Sequence, residues 1–245
     1  MRLDKYICDA LGVTRNEAKK LIRGGAVTVD GVPAGSPEMK TDESSLIFVH
    51  GRQVLREEFV YFMMNKPAGV VCSTKDPLDM TVTDLLRQAL PENDPLLKRD
   101  LFPAGRLDKD STGLVLLTDD GAFAHRILSP ARHVEKRYLV EVDAPIDGET
   151  VEAFKNGVTL SDGTRLRPAD LAVVRPYSPE TCTACAQVVI RQGVYHQIKR
   201  MFGACGIGVC SLRRVQIGGL ALDPELAPGE FKKLTPGEAL LAERH

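Results

Sequence analysis

The chain has 245 residues, of which 43% are apolar, and this is ample for a packed core that needs neither disulfides nor a structural metal. The formal net charge of −1 excludes a uniformly basic surface, so any contact with nucleic acid has to be local. The opening segment MRLDKYICDALG lacks the apolar run of a signal peptide, and no stretch approaches the roughly eighteen apolar residues of a membrane span. We therefore expect a cytoplasmic protein with no membrane partner.

The start of the chain predicts two short helices followed by a β-hairpin. Apolar side chains at helical spacing indicate a helix over residues 2–11, which Gly12 ends. The Thr14–Glu17 segment is a capping-box pattern, and it begins a second helix that stops at Gly24. Residues 26–31 are then typical of a strand and its turn.

Basic side chains are concentrated in the first 25 residues, where six stand against three acidic ones. The six are Arg2, Lys5, Arg15, Lys19, Lys20 and Arg23. A few lysines on a helix usually indicate no more than a solvated face. The same charges would also suit a local patch that holds RNA phosphates, and the residues alone leave both interpretations open.

A polar segment over residues 51–58 is the predicted hinge between two domains, 1–58 and 59–245. After it, the pattern predicts a buried strand at Val60–Met64 that bends at Asn65–Pro67 into another strand at Gly69–Cys72. Further strands are predicted at 114–118, 138–142, 165–174, 181–191 and within 213–233, and short helices at 81–90, 122–128, 151–156 and 195–205. This order predicts an α+β fold with a mostly antiparallel sheet.

The six cysteines are irregularly spaced and are expected to be reduced thiols. Cys182 and Cys185 form a C-x-x-C pair, which can indicate a metal or redox site. Their segment, TCTACAQVVI, is typical of a strand, and an offset of three would direct the two thiols to opposite faces of a sheet. We predict no metal site there.

The segment Ala104–Gly121, AGRLDKDSTGLVLLTDDG, places one charged turn between two apolar runs, and we expect the chemistry here. Residues 108–113 form the polar loop, and Leu114–Thr118 has the length and β-branching of a buried strand. A carboxylate on such a loop is held by rigid neighbours. Asp108 is therefore a candidate for a catalytic carboxylate.

Two other interpretations of this loop stay open. One is a calcium site, because side chains of the ligand type fall at positions 1, 3, 5, 6 and 12 of an EF-hand loop, namely Asp108, Asp110, Thr112, Gly113 and Asp119. Against it, the last position requires a glutamate, and Pro103 stands where an entering helix should run. The other is an ordinary surface turn whose Asp and Ser side chains cap nearby backbone groups.

Several motifs, in order along the chain, resemble one family. The segment GRLDKDSTGLVLLTDDG resembles the G-R-L-D signature of pseudouridine synthases, in particular the RsuA family, which modifies small-subunit ribosomal RNA. The resemblance extends to MRLDKYICDALGVTRNEAKKLIRGGAVTVDG, YFMMNKPAGVVCSTKDP, EKRYLV and GVYHQIKRMF, so it covers nearly the whole chain. Ordered motifs at such spacing are far more specific than any single tetrapeptide.

The resemblance implies a fold and a partner. The catalytic domain is expected to be a mixed, mostly antiparallel sheet flanked by helices, with a central cleft. The N-terminal part is similar to the S4-like RNA-binding domain, whose helix pair would present Arg15, Lys19, Lys20 and Arg23 to RNA phosphates. It implies a monomer that binds ribosomal RNA and uses no cofactor, since the isomerisation of uridine calls for neither a redox agent nor a metal.

The resemblance also implies catalytic roles for three residues. Asp108 would be the carboxylate beside the sugar, either as nucleophile at the anomeric carbon or as base at the neighbouring ribose carbon. Lys199 would be its fixed cation, although a solvated helix lysine has the same appearance in sequence. Tyr138 would stack on the base and help to remove the proton from carbon 5, although a core tyrosine is equally common.

Three further residues are expected to bind substrate. Ile198 would form an apolar wall beneath the uracil. Arg106 would enter the RNA stack or hold a phosphate once the target base has left it, unless it only pairs with a loop aspartate. Lys136 belongs to the basic loop that precedes Tyr138. The histidines at positions 125, 133 and 196 are interpreted as structural or as RNA contacts.

The implied function is the isomerisation of a specific uridine to pseudouridine in 16S ribosomal RNA, by an aspartate that acts on a flipped base. Large-subunit enzymes share these motifs, so the same chemistry on 23S ribosomal RNA is one alternative. A non-catalytic RNA-binding factor of ribosome assembly, with the same fold, is the other. The joint presence of Asp108, Tyr138 and Lys199 favours the enzyme.

Overall fold

The structure, a computed structural model, describes residues 1–42, 44–55, 57–92 and 94–244. Arg56, within the predicted hinge, lies outside the described residues, as do Glu43, Asn93 and His245. The chain divides into two compact units, one of Met1–Phe59 with Arg87–Asp100 and one of Val60–Leu86 with Leu101–His245. The sequence pattern does not anticipate that Arg87–Asp100 belongs with the N-terminal unit.

The first unit packs two helices against a small antiparallel sheet. Its elements are α1 (Leu3–Leu11), α2 (Arg15–Arg23), β1 (Val27–Val29), β2 (Val32–Pro33), β3 (Ile47–Val49) and β4 (Arg52–Gln53), with strand order β2-β1-β3-β4. Gly12, at φ 67°, ends α1 in the left-handed conformation, and Thr14 and Glu17 form the capping box that begins α2. Ile7 and Ile22 are buried between helices and sheet. The predicted helix-helix-hairpin is confirmed.

The second unit is built on a nine-stranded sheet. Its strands are β5 (Tyr61–Lys66), β6 (Phe102–Pro103), β7 (Thr112–Thr118), β8 (Lys136–Val142), β9 (Asp170–Ser178), β10 (Thr183–Ile190), β11 (Val209–Ile217), β12 (Leu220–Ala221) and β13 (Phe231–Leu234). The helices that follow α2 are α3 (Val82–Ala89), α4 (Gly121–Leu128), α5 (Gly148–Asn156), α6 (Gln197–Ala204) and α7 (Pro236–Leu240).

The main strand order is β13-β5-β7-β11-β8-β10-β9, with β12 beside β11 and β6 beside β7. In the part of the chain that the structure describes, β7 and β11 are the parallel pair and the other strands pair antiparallel. The predicted α+β class, with a mixed and mostly antiparallel sheet, is confirmed. No helix among the described residues is long and apolar enough to cross a membrane.

Strand β7 supports the polar loop because it lies inside the sheet, between β5 and β11. Its apolar run from Leu114 to Leu117 is almost fully buried, and Phe123 of α4 packs in the same core. Helix α4 begins directly after the strand, where the Asp120 carboxylate accepts the backbone N–H of Phe123. The loop that precedes β7 is thus attached to a rigid part of the fold.

Two local predictions were wrong, and one alternative interpretation is excluded. Residues 69–72 are not a strand, because β5 continues through Lys66 and only Val71 pairs afterwards, in an isolated bridge to Thr81. Cys182 lies in a turn, at φ 53°, before β10 begins, so the two cysteines of the C-x-x-C pair do not share a strand. The calcium interpretation also fails, since residues 112–118 are extended in β7 rather than coiled around a cation.

Candidate active site

The polar loop before β7 is anchored from below by a buried ammonium group. The Lys66 side chain is fully buried, and its Nζ donates to the backbone carbonyls of Pro67 (3.0 Å), Lys109 (3.2 Å) and Ser111 (2.6 Å). Burial lowers the pKa of this ammonium. Three carbonyl acceptors compensate the buried charge and fix the backbone on both sides of Asp110.

Asp108 lies on this fixed loop, with its side chain 27% exposed. The N–H of Ser111 donates to the Asp108 carbonyl (3.1 Å) and closes a turn. The N–H of Leu107 is 3.3 Å from the Cys72 sulfur. Hydrogen bonds thus fix the backbone on either side of Asp108, and this restricts the orientation of its carboxylate.

Two basic side chains from the start of α6 approach the Asp108 carboxylate. The His196 Nε2 is 3.3 Å from its Oδ1, and the Lys199 Nζ is 3.6 Å from its Oδ2. The same Lys199 Nζ donates to both oxygens of Asp110 at 2.7 Å. That hydrogen bond holds the pKa of the Asp110 carboxyl below its usual range. The Asp108 carboxylate therefore has a cation or an imidazole at each oxygen.

The carboxylate faces a cleft of about 240 Å³. The cleft is lined by Arg106, Leu107, Asp108, Ser111, Tyr138, Ile190, Gly193, Val194, Tyr195, His196, Gln197, Ile198 and Leu212. Tyr138 and Ile198 are buried walls, whereas Arg106 is exposed at the rim. A second cavity, of about 470 Å³, shares Arg106 and Asp108 with the first and extends towards Cys72 and Ser73. The two cavities together form an open groove with the carboxylate in it.

A buried arginine on β11 lies beneath this groove. Arg214 donates from Nε to the Leu114 carbonyl (2.8 Å) and from Nη1 to the Arg106 carbonyl (3.2 Å). Its Nη1 is also 3.5 Å from the Tyr138 hydroxyl. Gly113, at φ 97°, makes this close packing feasible, because a Cβ there would be 2.2 Å from the Arg214 carbonyl oxygen. Arg214 therefore links the backbone of Arg106 to the side chain of Tyr138.

Of the six expected catalytic and substrate-binding residues, the structure brings Asp108, Tyr138, Arg106 and Ile198 to the lining of this groove, and it places Lys199 beside Asp108 in an adjoining cavity. It does not bring Lys136 there. The Lys136 Nζ donates to the carbonyls of Ile127 (3.1 Å) and Val134 (2.9 Å). Lys136 is half-buried, and this burial lowers the pKa of its ammonium to about 8; the side chain is held by backbone carbonyls and is not part of the cleft lining.

The six basic residues expected to contact RNA all lie in the first unit. Lys5, Arg15, Lys20 and Arg23 are exposed and Lys19 is partly buried, so their charges are accessible to a ligand. Arg2 is exposed but engaged within the chain, since its guanidinium bonds to Asp4 (2.7 Å) and Glu38 (3.2 Å). The charge of Arg2 is thus partly neutralised.

Sequence analysis missed four residues that shape this site. The sequence pattern assigns Lys66 to a bend, Asp110 to a loop and Arg214 to a strand without a role, and it indicates a structural or RNA-contacting role for His196. A lysine and an arginine inside apolar strand patterns were the available signal, since such charges are buried only when they have partners. Nothing local identifies Asp110 as the nearer partner of Lys199.

The chain is similar to known proteins over nearly its whole length. The family model described as RNA pseudouridylate synthase matches residues 60–204, and the S4 domain matches residues 1–47. The chain is 44% identical to the ribosomal small subunit pseudouridine synthase A of Escherichia coli, with 97% of this chain and 98% of that one covered. It is 43% identical to the protein of the same name from Vibrio cholerae, with 97% of each chain covered.

A solved structure described as a pseudouridylate synthase is 38% identical, with a TM-score of 0.66 and 99% of both chains covered. The Escherichia coli and Vibrio cholerae relatives match almost the entire sequence. The residues matched by the family model include the loop of Asp108, the strand of Tyr138 and the helix of Lys199. The chain belongs to the RNA pseudouridylate synthase family and carries an S4 domain at its N-terminus.

Proposed function

We propose that this protein isomerises a specific uridine of 16S ribosomal RNA, in the small subunit, to pseudouridine. The observation that carries the proposal is the Asp108 carboxylate, which faces a groove between the His196 imidazole at 3.3 Å and the Lys199 ammonium at 3.6 Å. The names of the relatives that are 43% and 44% identical support the small subunit as the substrate.

The reaction breaks the bond between the ribose and nitrogen 1 of uracil, turns the base, and joins carbon 5 to the ribose. The proton on carbon 5 is then lost and nitrogen 1 is protonated, so the product is an isomer of the substrate. Asp108 acts on the ribose, as nucleophile at the anomeric carbon or as base at the neighbouring carbon. Lys199, whose ammonium is 3.6 Å from this carboxylate, holds it in place.

The walls of the cleft suit a detached uracil. Ile198 supplies an apolar surface beneath the ring, and Tyr138 supplies an aromatic ring together with a hydroxyl that can receive or relay the carbon 5 proton. An enzyme that acts on a base must first extrude that base from its stack. Arg106 is exposed at the rim of the groove, where it takes the place in the RNA stack that the extruded uracil has left, or binds a neighbouring phosphate.

The remaining basic residues supply affinity. We assign residues 1–58 to RNA binding and 59–245 to catalysis. Helix α2 presents Arg15, Lys20 and Arg23 to phosphates, which adds sequence-independent attraction. We propose that the enzyme acts in the cytoplasm. We also propose that it acts as a monomer and without a cofactor, because one chain supplies every group that the isomerisation uses.

The experiment is tritium release from a small-subunit ribosomal RNA transcript that carries tritium at carbon 5 of its uridines, since only the isomerisation discards that atom. A large-subunit transcript is the parallel substrate, and the Asp108→Asn variant is the matched control. Release from the small-subunit RNA alone supports the proposal. Release from the large-subunit RNA alone would assign the other ribosomal substrate, and binding without release would indicate an assembly factor.

A further inference from the structure

An exposed aromatic pair stands at the mouth of the groove. The rings of Tyr195 and His196 are stacked, with centroids 3.8 Å apart and planes within 16° of parallel. Tyr195 is 72% exposed although it is a large, mostly apolar side chain. Both residues line the cleft and the adjoining cavity, so the pair borders the whole groove that holds Asp108.

The pair is held in place by the backbone between β10 and α6. The N–H of Gln197 donates to the Val194 carbonyl (3.1 Å), and this bond closes a tight turn whose two central residues are Tyr195 and His196. His196 adopts φ 51° and ψ 32°, a left-handed backbone conformation that residues other than glycine seldom adopt. Strain of this kind persists where the surrounding structure enforces it, and here it orients the His196 ring between Tyr195 and the Asp108 carboxylate.

One face of the Tyr195 ring is covered by His196, and the high exposure of the side chain leaves the other accessible. Such a ring contributes little to the core, since its apolar area stays in contact with water. A planar, accessible ring beside a cleft matches the way in which proteins hold unpaired nucleobases, which stack on aromatic faces regardless of base identity. The Arg106 side chain at the same rim adds a positive charge for the phosphate backbone.

We infer that Tyr195 is a stacking platform for an RNA base next to the target uridine. The inference rests on the proposed function, because extrusion of the uridine leaves its neighbours unstacked at the mouth of the groove. The platform contributes to RNA binding and does not touch the reacting atoms. It explains why an exposed tyrosine stacks against the imidazole that contacts Asp108.

The chain contains no tryptophan, so the Tyr195→Trp variant carries a single tryptophan as the fluorescent reporter on the platform. Titration with unmodified small-subunit ribosomal RNA should quench this fluorescence, because a base stacked on the indole quenches it. The control is Tyr177→Trp on β9, a partly buried tyrosine outside the cleft lining, whose fluorescence should hardly change. The readout is binding, so it does not depend on turnover.

A second set of variants measures affinity. Tyr195→Leu keeps an apolar side chain but removes the ring, and we expect Kd and KM to rise about tenfold, which corresponds to about 1.4 kcal/mol. The rate at saturating RNA should fall far less than KM rises. Tyr195→Phe keeps the ring and should restore binding, and Tyr177→Leu is the matched control that should change neither constant.

The inference is overturned if the tryptophan at position 195 is not quenched, or if Tyr195→Leu binds RNA as tightly as the wild type. It is also overturned if Tyr195→Leu lowers only the saturating rate, since the ring would then merely orient His196. In each of these cases tritium release by the wild type leaves the proposed function standing. If RNA quenches the Tyr195→Trp variant and binds the wild type, yet the wild type releases no tritium, the proposed function is refuted instead.

Discussion

Replacement of Lys199 by methionine separates a site cation from an ordinary helix lysine. The variant keeps most of the side-chain volume and removes the charge that lies 3.6 Å from Asp108 and 2.7 Å from Asp110. Lys199→Arg is the matched control, because it keeps the charge and changes only the donor geometry. We expect a large loss of activity in the first variant and a smaller loss in the second.

The size of the loss follows from the distances and the exposure. Two unit charges about 4 Å apart attract by about 1 kcal/mol in bulk water and about 4 kcal/mol at an effective dielectric constant of 20. The Lys199 and Asp108 side chains are 24% and 27% exposed, so the pair lies between these limits. We take about 2 kcal/mol as the contribution of this pair to holding the carboxylate in its reactive position, and its loss predicts a fall of about 30-fold in the single-turnover rate at neutral pH.

The pH dependence has a definite sign. With no cation between them, two neighbouring carboxylates retain a proton more readily, so the acid limb of the rate profile should move to higher pH. The pKa of Asp110, held below its ordinary value of 3.8 by Lys199, should return towards that value in the methionine variant. A carboxyl group whose pKa is lower in the folded state stabilises the fold at pH values above its ordinary pKa. That stabilisation is lost as the pH falls through the folded-state pKa.

The stability difference between wild type and Lys199→Met should therefore be present at neutral pH and vanish in acid. The part of this difference that comes from Asp110 should not exceed about 1 kcal/mol, because the Asp110 side chain is 72% exposed. Single-turnover rates from mildly acidic to neutral pH, with urea unfolding at the same pH values, measure both effects. A methionine variant with the wild-type rate and acid limb would refute the reasoning and remove Lys199 from the site.

Three further predictions concern the scaffold and the binding of RNA. Arg214→Met should destabilise the fold by about 2–4 kcal/mol in urea unfolding, because it leaves the buried carbonyl of Leu114 and the partly buried carbonyl of Arg106 without this donor. Gly113→Ala should lower the free energy of unfolding by about 3 kcal/mol or more, since its Cβ would be 2.2 Å from a backbone oxygen. Gly237→Ala is the control: it has open space around it, so this change should be neutral or stabilising. Alanine at Lys19, Lys20 and Arg23 together should weaken RNA binding and reduce the slope of log Kd against log salt by about 0.7–0.9 for each phosphate that is no longer neutralised. An unchanged salt slope would mean that α2 presents only a solvated face.

The sequence allowed the N-terminal elements to be predicted because their signals are local. A glycine in the left-handed conformation ends α1 at Gly12, and the side chains of Thr14 and Glu17 cap α2, with no help from distant residues. The apolar run of β7 was equally clear, since a strand buried on both faces has no polar alternation. Such features depend on a few consecutive residues.

The support beneath the site could not be predicted, because it depends on contacts distant in sequence. The Lys66 ammonium is buried only because the chain returns with the carbonyls of Lys109 and Ser111. Lys136 had the appearance of an RNA contact in a basic loop, yet the fold directs it to the carbonyl of Ile127 near the end of α4. For a long basic side chain, the sequence supplies the charge but not its acceptors.

The central claim is that Asp108 performs the chemistry, and the most direct test is the single-turnover rate of Asp108→Asn on small-subunit ribosomal RNA, with RNA affinity measured in parallel. The variant keeps the side-chain volume and removes the nucleophile or base. The account predicts no measurable tritium release, with Kd within about threefold of the wild type. Turnover above about one hundredth of the wild-type rate, in a variant that binds RNA normally, would contradict it.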